Sequence, residues 1–551
     1  MKKSDIQLSW INKFSEYSGN PRGKNRSNYL HFDVKPDLAL ACQKVFQPSY
    51  IKKHSFWPFI FYKAKAEKIK LLSDLLSEHS IVLPPSLNDK KNLPKEIKDI
   101  IDSDPDVSKA LISTKGNPHK YATWKLRPIC YASHFDSLIY SYYSELLSYD
   151  YEKLLAAKKL DENVLAFRKS QSRSKVCNID HSYKAFEDIK NSEKCVVLAF
   201  DVSSFFDILD HEILKNKWLQ VIQQSSNIDR LPADHFNVYQ SITSYSSVDR
   251  DAVYDCFKIS KNNPKNVSRS IKKEMAYKSL PETKRPITKN NRRIRLCSAE
   301  SFRTLIKTKE LLIKKNRKSK GIPQGSPMSG LLSNIYMIDF DIKLKDYTES
   351  LNGKYYRYCD DLLCILPINE HIEIIQTALN LENFVYDLAC EFKLDVNKKK
   401  TEKYAFMPDN ILQAKYPNKT EKNREKLTTR IACARIAGAD LIYSRLQYLG
   451  FKFDGEKITI RSSSISRYQK KMKRGIKYHL RLKNKYDPKG SLKRQKLRKL
   501  YSHVGESNFP IYAYRSAKTM KSSAIKKQLR RHQNEINLQI KKISKRIEIE
   551  P

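Results

Sequence analysis

The chain has 551 residues, is 40% hydrophobic and holds 32 Tyr and 22 Phe, enough apolar and aromatic matter for two to four folded units and too much for a disordered chain. Its formal net charge of +44 favours a polyanionic partner, either nucleic acid or an anionic membrane surface. No run of about 18 apolar residues is present and Met1 to Asp5 lead into no apolar signal core, so the expectation is a cytoplasmic protein with no membrane span. The ten cysteines are scattered without CxxC or Cys/His zinc spacing, and read as reduced, mostly buried thiols.

Up to about Ser113, helical patterns alternate with breakers such as Pro84-Pro85 and Leu93-Pro94. The segment from His54 to Ile60 is dense in aromatics and reads as a local hydrophobic cluster. Trp124 to Ile129 is strand-like, and alternation puts Lys125 and Arg127 on one face. His134 to Tyr151 reads as a helix capped by Ser133, followed by a basic element at Ala166-Phe167-Arg168-Lys169. Cys195 to Phe200 is a buried-strand run that ends on Asp201, and Asp210-His211 opens a helix. A strongly basic stretch, about 251–320, reads either as a solvated extension or as a nucleic-acid groove.

Gly321 to Gly330 is a Gly/Pro turn cluster that feeds one helix from Leu331 to about Lys345. Turn chemistry does not explain Gln324 inside it, which could present an amide to a base or sugar. Tyr355 to Leu366 reads as strand, turn, strand, with Asp360-Asp361 at the turn and Cys359 as a small residue filling a strand position. An Asp-Asp turn is either a solvated loop or a cation site, because like-charge repulsion between paired carboxylates is reversed by a hard divalent ion. Lys403 to Phe406 is strand-like, and Gln447 to Phe451 reads as one arm of a hairpin turning at Asp454-Gly455. From Arg461 onward there are 27 Lys/Arg against 5 Asp/Glu, about half the net charge, in helical patterns too poor in acids for a multi-carboxylate nuclease.

Asp201 and Asp360-Asp361 each lie at the end of an apolar strand-like run. If those strands pair, the carboxylates converge and could hold two divalent ions about 3.5–4 Å apart, which suits in-line phosphoryl displacement. Lys125 and Arg127 would neutralise a triphosphate, and the positive field would hold a nucleic acid through its phosphates.

Taken in order, these segments resemble the reverse transcriptases over about Tyr121 to Phe451. Phe200 to Phe206 is similar to the first catalytic motif, Gly321 to Pro327 to the PQG motif, and Tyr358-Cys359-Asp360-Asp361 to the YxDD box. Asn397 to Thr401 is similar to the motif ending in Lys-Thr, Tyr448-Leu449-Gly450-Phe451 to the primer grip, and Lys125 to Ile129 and Ala166 to Lys169 to the fingers motifs. The resemblance implies an α+β right-hand polymerase with fingers, a ferredoxin-like palm and a thumb, extended by a basic helical C-terminal region. It implies an N-terminal extension over 1–113, fingers over 114–194, a palm over 195–451 that holds the basic insertion, and a thumb with basic helices over 452–551.

It further implies that Asp201, Asp360, Asp361 and the carbonyl of Val202 bind two Mg²⁺ ions, with Mn²⁺ as a substitute. Phe206 would be the steric gate against a ribose 2′-hydroxyl, its bland reading being a core aromatic. Gln324 and Gly325 would line the nucleotide and template site. Lys400 would be an acid for pyrophosphate or a surface lysine. The implied partners are an RNA template, which in some relatives is a dedicated non-coding RNA, dNTPs and the DNA product. A companion defence protein and self-assembly are further expectations.

No retroviral RNase H, intron nuclease finger or clear retron signature is visible, and the form of the fingers motif and the helical tail are most similar to bacterial defence-associated enzymes, including the abortive-infection group. The alternatives are a retron- or group II intron-type enzyme of a mobile element, an RNA-dependent RNA polymerase, disfavoured by Phe206, and a non-catalytic RNA-binding scaffold.

Overall fold

The computed structural model describes residues 3–19, 29–71, 120–168, 176–257, 287–289, 292–368, 374–412, 414, 430–486, 494–505, 508–530 and 532–549. Its strands, in chain order, are β1 (Phe59–Leu71), β2 (Lys120–Tyr131), β3 (Cys195–Asp201), β4 (Ser246–Asp249), β5 (Ile287–Lys289), β6 (Arg292–Arg295), β7 (Ile313–Lys315), β8 (Lys354–Tyr358), β9 (Asp361–Pro367), β10 (Glu402–Pro408), β11 (Ile431–Ala437), β12 (Asp440–Tyr443), β13 (Leu446–Tyr448), β14 (Phe451–Phe453) and β15 (Ile458–Ile460). Together with the helices between them they make a mixed α+β protein. The chain divides into two compact units, and each is assembled from separated stretches: Met1–Leu147, Asp210–Leu219 and Asn227–Ser329 form the first, and Ser148–Leu209, Gln220–Ser226 and Gly330–Pro551 the second.

The first unit is built on a four-stranded sheet of order β2-β1-β4-β7. β1 runs antiparallel to β2 and parallel to β4. Leu30, Phe32, Ile60, Val248, Phe257, Leu296 and Leu305 form its core. The aromatic segment predicted as a local cluster is one. Trp57 stacks on Phe32 at 5.7 Å, while Phe56 and Phe59 stack on Tyr140 at 5.3 and 5.8 Å. Tyr140 lies on the helix His134–Ala157, whose start is capped by Ser133, its Oγ accepting from Asp136 N at 3.1 Å. The buried Asp136 carboxylate in turn accepts from His54 Nε2 at 2.8 Å and Trp57 N at 2.9 Å, which ties the aromatic segment to the helix.

The second unit holds a six-stranded antiparallel sheet of order β12-β11-β10-β3-β9-β8. Four of its strands, with the helices Ile338–Ser350 between β3 and β8 and Ile374–Glu391 between β9 and β10, follow the β-α-β-β-α-β pattern of a ferredoxin-like sheet. Stacking of Tyr347 on Phe384 at 3.8 Å locks those two helices together. β3 lies between β10 and β9 and both its faces are buried, which is why its sequence is a continuous apolar run rather than an alternating one. On one face Val197, Leu363, Ile365 and Phe406 pack with Phe186, Phe451 and Phe453, which fastens the small sheet β13-β14-β15 to the large one. The C-terminal helices form a separate cluster, in which Met472, Ile476, Leu497, Ile536 and Ile540 are buried and the basic residues are left to the surface.

Three local expectations are corrected. The segment after the Gly/Pro cluster forms two helices, Ser329–Tyr336 and Ile338–Ser350, broken at Met337, whose N–H bonds three residues back to Asn334 O at 3.2 Å instead of four. Cys359 is in the turn, not in a strand, with φ of 62°. Tyr448 to Phe451 is not one hairpin arm: Tyr448 ends β13, Phe451 begins β14, and Leu449-Gly450 is the two-residue turn, with φ of 44° and 96° as a primed turn requires. Lys169 and part of the basic stretch predicted at 251–320 (258–286 and 290–291) lie outside the described residues.

Candidate active site

The carboxylates predicted to converge do so through strand pairing. Asp201, the last residue of β3, is the register partner of Asp361, the first residue of β9. Asp360 sits between them in the chain path, in the Cys359-Asp360 turn that joins β8 to β9 and is closed by the Tyr358–Asp361 pair. The backbone around Asp201 is fixed on both sides: Val202 N donates to Asp360 O at 3.0 Å, Ser203 N to Asp395 O at 2.7 Å, and Asn397 N to Asp201 O at 3.0 Å. Val202 itself is buried and lies against the Asp-Asp turn, so the three acids and this peptide unit form one corner of the sheet.

The electrostatics of this corner are unbalanced. Asp361 keeps part of its surface in solvent, yet enclosure by the surrounding protein, then repulsion from Asp360 and Asp201, push its carboxyl up to about 7. Arg461 and Lys400 oppose that rise. Lys400, on the turn Lys398–Lys400, places its Nζ 2.5 Å from Asp201 Oδ2. The lysine predicted from the Lys-rich run thus reaches the carboxylate of Asp201.

The turn Leu449-Gly450 is tied to Tyr448 and Arg461, which both interact electrostatically with Asp361. Asn178 Nδ2 donates to Leu449 O at 3.1 Å and to Tyr512 Oη at 2.9 Å, and Arg461 N donates to Gly450 O at 3.0 Å. Burial, with the field of Asp361 added to it, holds the Tyr448 hydroxyl proton on. The Tyr448 hydroxyl and Arg461 Nε are buried without a hydrogen-bond partner. Phe206 lies on the short helix Phe205–Ile208, five residues beyond Asp201, after Ser204 in a left-handed conformation. Phe205 is the buried ring of the pair, and Phe206, half-buried at 5.7 Å from it, is the more accessible one.

Lys125, Arg127, Gln324 and Gly325 belong to the first unit. Arg127 is exposed on β2, opposite Ala64. Lys125 lies two residues earlier on the same strand, opposite Ala66, and its side chain is outside the described set. The end of that strand holds the Gly/Pro turn: Cys130 N donates to Gln324 O at 2.8 Å, and a Cβ on Gly325 would stand 2.6 Å from Cys130 O. With φ of 117°, position 325 requires glycine on both counts.

Some residues that matter were not legible as functional. Arg357, in the strand before the Asp pair, is fully buried and bidentate on Asp341, with Nε to Oδ1 at 2.7 Å and Nη2 to Oδ2 at 2.6 Å. Its Nη1 donates to Asn334 Oδ1 at 2.9 Å and to Cys359 O at 3.3 Å, so one guanidinium braces the turn that carries Asp360. The only sequence signal is a charge inside a run of buried aromatics. Arg168, expected as a basic fingers element, is 3% exposed and bound to Glu152 and Asp161. Its charge is spent inside the unit.

Among the described residues, no three His, Cys, Asp or Glu side chains stand close enough to hold a metal ion as they are. The donor chemistry nonetheless fits a hard divalent cation: carboxylate oxygens from paired strand ends, mutually repelling, beside a buried hydroxyl that has no partner. Among the described residues no helix is long and apolar enough to cross a membrane.

Residues 276–453 match the family model described as reverse transcriptase (RNA-dependent DNA polymerase), so the chain carries a reverse transcriptase domain. The matched segment includes Gln324, Asp360, Asp361, Lys400 and Tyr448, whereas Asp201 precedes it. No curated protein matches the sequence significantly. Among solved structures, the chain is similar to telomerase from Candida albicans in complex with a TWJ fragment of telomeric RNA, with 11% identity and a TM-score of 0.32 over 95% of this chain and 69% of that one. It is also similar to apo telomerase from Candida tropicalis, with 12% identity and a TM-score of 0.33 over 75% and 57% of the two chains. A form of the Candida tropicalis enzyme truncated from its C-terminal domain gives 10% identity and a TM-score of 0.31 over 62% and 54%. The chain therefore spans about half the length of the truncated Candida tropicalis enzyme.

Proposed function

We propose that the chain is an RNA-directed DNA polymerase of right-hand design that adds dNTPs to a DNA 3′ end. The observation that carries this reading is the register pair Asp201–Asp361, with Asp360 in the adjoining turn, inside a chain that bears a reverse transcriptase domain. In this reading Asp201, Asp360, Asp361 and the Val202 carbonyl hold two Mg²⁺ ions, which when bound lower the pKa of the attacking 3′-hydroxyl and stabilise the leaving pyrophosphate. Lys400 releases Asp201 to the cation and turns its ammonium toward the pyrophosphate. Phe206 closes the space a ribose 2′-hydroxyl would need. Lys125 and Arg127 neutralise the triphosphate, Gln324 and Gly325 line the nucleotide, and the Leu449-Gly450 turn supports the primer end. The basic C-terminal helices supply charge for an RNA template and its duplex with product.

The setting we propose is bacterial antiphage defence in the cytoplasm, on the similarity of the fingers motif and helical tail to the defence-associated enzymes. A dedicated non-coding RNA, a companion protein and self-assembly belong to the same reading. The test is dNTP incorporation with Mg²⁺ by protein purified with its bound nucleic acid, beside Asp360→Asn/Asp361→Asn, with the product sequenced. Carboxylate-dependent DNA is expected, and its sequence identifies the template. No DNA, even with a supplied primer-template and phage-infected extract, would replace this reading with that of an RNA-binding scaffold.

A further inference from the structure

Phe167 is exposed to 52%, unusual for a phenylalanine, and it adopts φ of 57°, a left-handed conformation that a bulky residue takes only when its neighbours enforce it. The enforcement is visible on both sides. The carbonyl of Ala166 accepts from Asn334 Nδ2 at 2.7 Å. Arg168 is locked by Glu152 at 2.5 and 3.1 Å, by Asp161 Oδ1 at 2.8 Å, and by the carbonyls of Asp161 and Val164 at 2.5 and 3.2 Å. One side of the ring rests on Gly330: a Cβ there would meet the ring Cγ and Cδ1 at 2.8 Å. Thus a rigid aromatic ring is held with one side seated and much of its surface open to water.

The ring is also fixed with respect to the carboxylates. Asn334, which holds Ala166, accepts from Arg357, and Arg357 holds the carbonyl of Cys359 beside Asp360. A single buried polar network therefore sets the position of Phe167 against the Asp360 turn. A strained, open aromatic at a fixed distance from a nucleotidyl-transfer site is suited to stack a planar group.

We propose that Phe167 is the stacking platform for one unpaired base of the single-stranded RNA template. This rests on the polymerase reading for its context, but not for its measurement. Stacking of a base on an aromatic ring typically changes affinity by roughly ten-fold or more on truncation to alanine, independent of base identity.

The experiment uses the full chain without divalent metal and a DNA primer annealed to an RNA template whose overhang carries 2-aminopurine, moved one position at a time. The expected result is quenching at one overhang position, lost in Phe167→Ala with about ten-fold weaker binding, and retained in Phe167→Trp. Gly330→Ala, which pushes the ring from its seat, should reproduce the loss, while binding of a blunt RNA–DNA duplex should not change in any variant. Unchanged quenching in Phe167→Ala would overturn the proposal. So would equal weakening on the blunt duplex, or loss in Phe167→Trp as well as in alanine with unaltered thermal unfolding. If the wild type shows the quench but incorporates no dNTP, the stacking site stands and the polymerase reading fails.

Discussion

Replacing Arg357 by methionine gives the sharpest test of how the carboxylate corner is held. Arg357 and Asp341 are each 0% exposed, so Asp341 would be left with an uncompensated charge in a site closed to bulk solvent. Breaking a buried ion pair from one side costs about 3–5 kcal/mol, and the hydrogen bonds to Asn334 and the Cys359 carbonyl are lost as well. Replacing both partners, as Arg357→Met/Asp341→Leu, removes the stranded charge and should recover most of that loss, because an apolar pair of similar volume is often as stable as a buried salt bridge. Urea unfolding of the wild type, both single variants and the double variant closes the cycle.

The pH dependence has a defined sign. Burial raises the Asp341 carboxyl, and without Arg357 to oppose that rise, the folded state of Arg357→Met binds a proton more tightly than the unfolded chain. That variant should therefore gain stability as pH falls toward the unfolded carboxylate range, and the double variant should not. The double variant should still polymerise poorly, since the brace on Cys359 is gone. A loss below about 1 kcal/mol in Arg357→Met, or a double variant no better than the single, would refute the reasoning.

Phe206→Ala should narrow the preference for dNTPs over NTPs in single-nucleotide incorporation, and an unchanged ratio removes the gate assignment. Lys400→Ala frees Asp201 of its resident ammonium and should tighten Mn²⁺ binding read by electron paramagnetic resonance, while equal affinity would show that the pair does not compete with the ion. Asp361 is raised to about 7, so in metal-free protein its contribution to stability is present below the unfolded carboxylate range and is lost as pH rises through 7; Asp361→Asn should flatten that slope in thermal unfolding. Gly325→Ala should destabilise the first unit by about 1–3 kcal/mol through its φ of 117° and the 2.6 Å approach to Cys130 O, and wild-type stability would contradict that geometry.

Much of the carboxylate corner was readable in the chain because each part has a strong local signature. Cys195 to Phe200 reads as a buried strand, and the Asp pair between apolar runs marks a hairpin tip, although only Asp360 lies in the turn and Asp361 already opens β9. The pairing Asp201–Asp361 was an inference from two strand ends, and the register realises it. What stayed hidden depends on partners distant in sequence. Arg357 shows only as a charge inside an apolar strand until Asp341 is placed against it, and Arg168 reads as a basic fingers element until Glu152 and Asp161 close on it. The Leu449-Gly450 turn was misread because Tyr448 and Phe451 are both apolar, and alternation alone cannot locate the reversal. The two interleaved units leave no signature in local composition, since several of their boundaries, such as Leu147/Ser148 and Leu219/Gln220, fall inside helices.

The position of β3 sets a schedule for biosynthesis. This central strand leaves the ribosome with neither neighbour made: β9 begins 160 residues after it ends, and β10 follows later still. At typical elongation rates of 5–20 residues per second, that is a wait of about 10–30 s with both edges of an apolar strand open. Nascent chains should therefore need a holding chaperone until the Asp361 hairpin emerges, and ribosome stalling between residues 201 and 329, before the first unit is complete, should yield aggregates rather than a folded amino-terminal intermediate.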